Sequence, residues 1–128
     1  MTDREFRLHR RRVLALANRW IRPLGLGWWR FDFEWHRSGF DGHTLMRCAS
    51  SWRYMEAHID VDLAQVAQLA DDDRLEEVVV HELLHPILSE MGSGDEATMH
   101  EERVASTLQR AFIATRTMGR VEGRKGVQ

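Results

Sequence analysis

The sequence predicts an α+β fold: a small antiparallel or mixed sheet of about three strands, packed on an N-terminal helix, a central helix and a C-terminal helix. Three observations predict it. Apolar residues recur at helical spacing over residues 3–21, alternate with polar ones in three runs between 28 and 61, and return to helical spacing from 72 onward. At 128 residues, 43% apolar and 30% charged, the chain is expected to form a single domain, 1–128, that buries a core without staples.

Over 3–21, Phe6, Val13, Leu14, Ala17, Trp20 and Ile21 line one side while the arginines lie mostly elsewhere, and Pro23 with Gly25 and Gly27 ends the helix. Residues 1–27 thus form a basic N-terminal helix and its turn. In 28–36 the period becomes two: Trp29, Phe31, Phe33 and Trp35 alternate with Arg30, Asp32, Glu34 and His36. This aromatic run suits core packing better than a base-stacking platform. Ser38 to Gly42 is a loop, 44–49 a second strand, Ser50 and Ser51 a break, and 54–61 a third strand with Met55, Ala57, Ile59 and Val61 inward. A short helix covers 63–70.

The next helix opens with acids at 71–73, Asp73 and Glu76 resembling a capping box. Leu75, Val79, Leu83 and Ile87 form its core stripe, with Val78, His81, Glu82, His85 and Leu88 on a neighbouring face. Pro86 removes a donor to the Glu82 carbonyl, so a local loosening is expected, with the helix ending near Met91 before the turn Gly92-Ser93-Gly94. Ser93 and Glu96 signal a second capping box. A last helix from Asp95 to about Met118 closes at Gly119, leaving 120–128 as a flexible basic tail.

One cysteine, Cys48, excludes an intrachain disulfide and a cysteine-rich zinc site. There is no apolar leader and no run of eighteen apolar residues, so neither a signal peptide nor a membrane span is expected, and a cytoplasmic setting is the default. Charge is uneven. Residues 1–30 carry eight Arg against Asp3 and Glu5, residues 31–102 carry four Arg against seventeen acids, and the last 26 residues are basic again. A basic first helix can serve nucleic acid or an acidic partner, but pairing with the chain's own acidic middle is the favoured reading.

The chemistry concentrates in His81-Glu82-Leu83-Leu84-His85. Histidines four apart on a helix lie one turn above each other and can grip one divalent ion, for which zinc suits two neutral imidazoles. Glu82 stands where a general base reaches water without ligating the metal. The bland alternative is two half-buried histidines hydrogen-bonded to neighbours.

A sheet followed by this HExxH helix and then a helix bearing a buried acid resembles the zincin metallopeptidases. The resemblance covers roughly 54–112, most closely Val78 to Pro86 and His100 to Ala105. It implies zinc-dependent peptide-bond hydrolysis of a protein or peptide substrate, and a sheet-edge strand beside the cleft, expected to be 54–61. Leu88 and Met91 stand where the metzincin subclass needs Gly and His. The gluzincin form takes its third ligand from a Glu on a later helix, and His100-Glu101-Glu102-Arg103-Val104 looks like that pattern. The layout is most similar to minimal metallopeptidases of phages and prophages. In this resemblance the metal ligands are His81, His85 and Glu101, because Glu101 lies three before Val104 and seven before Leu108, whereas Glu102 is rotated about 100° away, toward solvent or a flanking helix. His100 is the rival ligand, as in three-histidine SprT-like proteases, and Asp95 a weaker one. Tyr54, His58 and His100 are the candidate oxyanion donors. A non-catalytic zinc-stabilised module, associated with nucleic acid through the N-terminal arginines, is the alternative.

Overall fold

The computed structural model of the chain describes residues 1–89 and 95–126. Helix α1 (Asp3–Ile21) begins at a full capping box: the Thr2 hydroxyl accepts from Glu5 N–H at 3.1 Å, and the Glu5 carboxylate accepts from Thr2 N–H at 2.8 Å. Val13, Leu16, Ala17 and Trp20 are its buried face, so Leu16 takes the place expected of Leu14. After the helix, Gly25 adopts φ +78°, a left-handed conformation open to glycine at little cost, and the reversal drops Leu26 into the core.

Strands β1 (Arg30–His36), β2 (Met46–Ser51) and β3 (Glu56–Asp62) form one mixed sheet in the order β1-β3-β2, with β1 parallel and β2 antiparallel to β3. Two expectations change here. Ser50 and Ser51 do not break the second strand, because they pair with Ala57 and Glu56. The third strand starts at Glu56, since Met55 holds φ +52° in the β2–β3 turn. It is also central, so the free edge beside the central helix belongs to β2. Ala57, Ile59 and Val61 are buried on one face of β3, which sends His58 and Asp60 to the other.

Helix α2 (Leu63–Ala67) is capped by Asp62, whose Oδ1 accepts from the N–H groups of Ala64 and Gln65. Helix α3 (Asp72–Leu88) is capped by Asp71, accepting from Asp73 N–H at 3.0 Å, in place of the Asp73–Glu76 box. It runs through Pro86 and ends at Leu88. Leu88 is buried and Ile87 exposed, the reverse of the expected stripe. Helix α4 (Asp95–Gly126) continues through Gly119 instead of closing there. The expected Ser93 cap and the Gly92–Gly94 turn lie outside the described residues.

Helix α3 is the hub, packing on α1, α4 and β2. Leu63, Val66, Leu75, Val80 and Val61 are fully buried at the centre. Charges fasten the layers. Arg12 of α1 donates to the Leu69 carbonyl and to Asp72, both at 2.9 Å, and buried Glu76 of α3 receives Arg19 of α1 and Arg116 of α4. Two arginines of the basic first helix therefore meet the acidic middle of the same chain. Among the described residues, no helix is long and apolar enough to cross a membrane.

Candidate metal centre

The helical spacing of α3 sets the rings of His81 and His85 side by side, centroids 5.0 Å apart. Both lie at the margin of the core, with side chains 19% and 13% exposed. Facing them is the first half of α4. His81 Nε2 lies 3.1 Å from Glu102 Oε2, and His85 Nε2 lies 2.9 Å from Glu102 Oε1. These two imidazoles and the Glu102 carboxylate form a group whose ligand atoms all fall within 4.8 Å of one another.

Glu101 does something else. Its Oε1 lies 2.8 Å from Nδ1 of His85. That contact orients the ring and turns Nε2 toward Glu102. Ser106 Oγ stands 3.5 Å from Nδ1 of His81. Glu101, expected to join both histidines, thus meets His85 alone, through Nδ1, while Glu102, expected to face solvent or a flanking helix, is 54% exposed and meets both Nε2 atoms on the flanking α3. Ala105, fully buried, marks where α4 lies closest to the core. Glu101 is four residues before it and Glu102 three, so both reach toward α3; Val104, taken as the inward residue, is 36% exposed.

Glu82 is half-buried on α3 and, with His81, lines a cavity of about 350 Å³. Its walls include Leu45, Met46 at the start of β2, and Ser106, Gln109 and Arg110 of α4. Burial pushes the Glu82 carboxyl up to about 7; nearby Glu102 adds to the rise and His85 opposes it. Burial likewise lowers His81, with His85 acting in the same direction. The result is a carboxyl poised to exchange a proton near neutrality beside a His81 imidazole biased toward the neutral form that ligates metal. Burial also pushes the Cys48 thiol to about 12, helped by Glu82 and Glu101, which keeps it protonated.

The remaining candidates lie elsewhere. His100 is exposed, its Nδ1 3.4 Å from Arg103, outside the His81–His85–Glu102 group. Tyr54 is 76% exposed in the β2–β3 turn. His58 faces away from α3, across the sheet. The side chain of Asp95 is outside the described residues. Sequence reasoning missed Glu102 and Ser106, although their own i, i+4 spacing places them on one face of α4.

The donor set fits a zinc-like ion on this geometry: two imidazole Nε2 atoms and a carboxylate converge, while the Nδ1 atoms are turned to outer partners, as metal-bound histidines are. Comparison of the chain with protein-family models, with curated proteins and with solved structures returns no match.

Proposed function

We propose that the chain is a small zinc-dependent peptidase whose metal is held by His81, His85 and Glu102. The observation that carries the reading is the convergence of both Nε2 atoms on Glu102 beside the buried carboxyl of Glu82. A purely structural metal site has no need of such a base. Zinc bound there would supply Lewis acidity, polarising a carbonyl and acidifying water. Glu82 takes the proton of the attacking water on its carboxylate and hands it to the leaving amine. Glu101 holds His85 by Nδ1, fixing the ring. The unpaired edge of β2, which borders the same cavity, is the natural place for an extended peptide to add as a further strand. Arg110 and Gln109 on the opposite wall offer donors to substrate carbonyls or a carboxylate.

The test combines metal analysis with peptide cleavage. His81→Ala and His85→Ala should each contain about one zinc fewer per chain than wild type. Glu82→Gln should keep that zinc and the fold yet cut peptide at least on the order of a hundredfold more slowly. Undiminished cleavage by Glu82→Gln would refute the mechanism. Equal zinc in wild type and both histidine variants would refute the centre.

A further inference from the structure

A second group of chemistry-bearing side chains stands on the outer face of the sheet, where the HExxH motif plays no part. The parallel register sets Asp32 of β1 opposite His58 of β3, Glu34 opposite Asp60, and His36 opposite Asp62. Alternation turns Asp32, Glu34, His36, His58 and Asp60 to the same side. His58 Nδ1 lies 3.0 Å from Asp32 Oδ2, while its Nε2 lies 3.1 Å from Glu34 Oε2 and 3.5 Å from Asp60 Oδ1. His36 Nε2 reaches the same Asp60 oxygen at 2.9 Å. The ligand atoms of Glu34, His58 and Asp60 all lie within 4.8 Å of one another.

We propose that Glu34, His58 and Asp60 form a second binding site for a divalent transition ion of the zinc class, with His36 at its margin and Asp32 orienting His58. Three features beyond proximity carry this. The first is division of labour on one imidazole: a carboxylate fixes Nδ1 and leaves Nε2 facing the ligand group, as Glu101 does for His85. The second is charge. Among the described residues, Asp32, Glu34 and Asp60 have ion pairs only with the two histidines, and no Arg or Lys neutralises them. Arg47, opposite Asp60 on β2, instead stacks its guanidinium on Phe40 at 3.9 Å. Three carboxylates outnumber the two imidazoles even with both rings protonated, so the group stays negative and calls for a cation, and mixed nitrogen and oxygen donors select a transition ion over calcium or magnesium. The third is access: Asp32 and His58 border an open cavity of about 620 Å³ at the end of the sheet. An ion held by one side chain of β1 and two of β3 clips the edge strand to the sheet. The inference does not rest on the peptidase reading, because the site is on the opposite face of the sheet from His81.

The experiment uses the full chain without a polyhistidine tag, stripped by chelator and dialysed against zinc, in a His81→Ala/His85→Ala background that removes the first centre. About one equivalent of zinc should still bind. Adding His58→Ala should abolish it, and adding Asp32→Asn should weaken it by about 10–100-fold. Circular dichroism checks that each variant is folded. Should His58→Ala fail to fold, Glu34→Gln/Asp60→Asn in the same background replaces it, read by loss of cobalt d–d absorption. A background protein that binds no zinc, or binds it as tightly after these substitutions, overturns the proposal; the five side chains are then a proton-bridged cluster. Loss of zinc from His81→Ala alone speaks only to the first centre.

Discussion

At the scale of single residues, the two adjacent glutamates of α4 have separable jobs. Glu102→Ala removes the group facing both Nε2 atoms and should release the metal, whereas Glu101→Ala frees His85 to rotate and should weaken metal affinity by about 10–100-fold without abolishing it. Zinc titration of the two variants checks the order. Glu82 carries a pH signature. Its carboxyl is raised from 4.5 to about 7, so the folded protein keeps a proton that the unfolded chain releases above pH 4.5. Stability of the metal-free protein therefore falls as pH rises from 4.5 to about 7 and levels off beyond. Glu82→Gln has no such group, and by pH 8 should be the more stable protein by about 3 kcal/mol. Urea unfolding in chelator across that range measures the difference. Added zinc should narrow it, because a nearby cation favours the ionised carboxylate.

At the scale of elements, two contacts hold the site's supports in place. Glu76 is 8% exposed and joins α1, α3 and α4 through Arg19 and Arg116. Glu76→Ala removes the buried carboxylate that Arg19 and Arg116 share, and losing one partner of a buried pair costs about 3–5 kcal/mol; Arg19, half exposed, limits the loss to the lower end. Thermal melting of Glu76→Ala against wild type reads it directly. The loop between β1 and β2 presses Gly39 onto Asp62, so closely that a Cβ there would overlap Asp62 Oδ2. Asp62 is fully buried and pinned by its cap on α2. Gly39→Ala should therefore destabilise by about 1–3 kcal/mol, the usual cost of overpacking, while leaving zinc content unchanged.

At the scale of the whole molecule, α3 carries HExxH and is also the element on which α1, α4 and β2 converge. Metal held at that placement would couple to global stability. Saturating zinc at a hundredfold above its dissociation constant should stabilise the fold by about 2.7 kcal/mol, and chelation should remove it. Calorimetry of zinc-loaded and stripped protein gives the test; equal melting temperatures would mean that neither centre is linked to folding. The uneven charge along the chain also resolves at this scale, since Arg12 and Arg19 of the basic first helix pair with Asp72 and Glu76.

The sequence by itself determined what depends on spacing along one element. A spacing of four from His81 to His85 put both rings on one face of α3, and period-two alternation put Ala57, Ile59 and Val61 on the buried side of their strand. It also named Glu82 as the carboxyl beside those rings. Only the tertiary structure decided how each element is turned against its neighbours. Helical periodicity separates Glu101 from Glu102 by about 100° yet leaves open the rotation of α4 about its axis. The close approach of α4 at Ala105, instead of Val104, gives Glu102 the Nε2 atoms and Glu101 the Nδ1. Strand order was equally out of reach, because alternation fixes which side chains share a face and not which strand pairs with which. The parallel pairing of β1 with β3 across twenty-six residues placed Asp32 opposite His58 and assembled the second cluster. Local patterns along the chain carry no record of such long-range pairings, since they are chosen by the packing of the core as a whole.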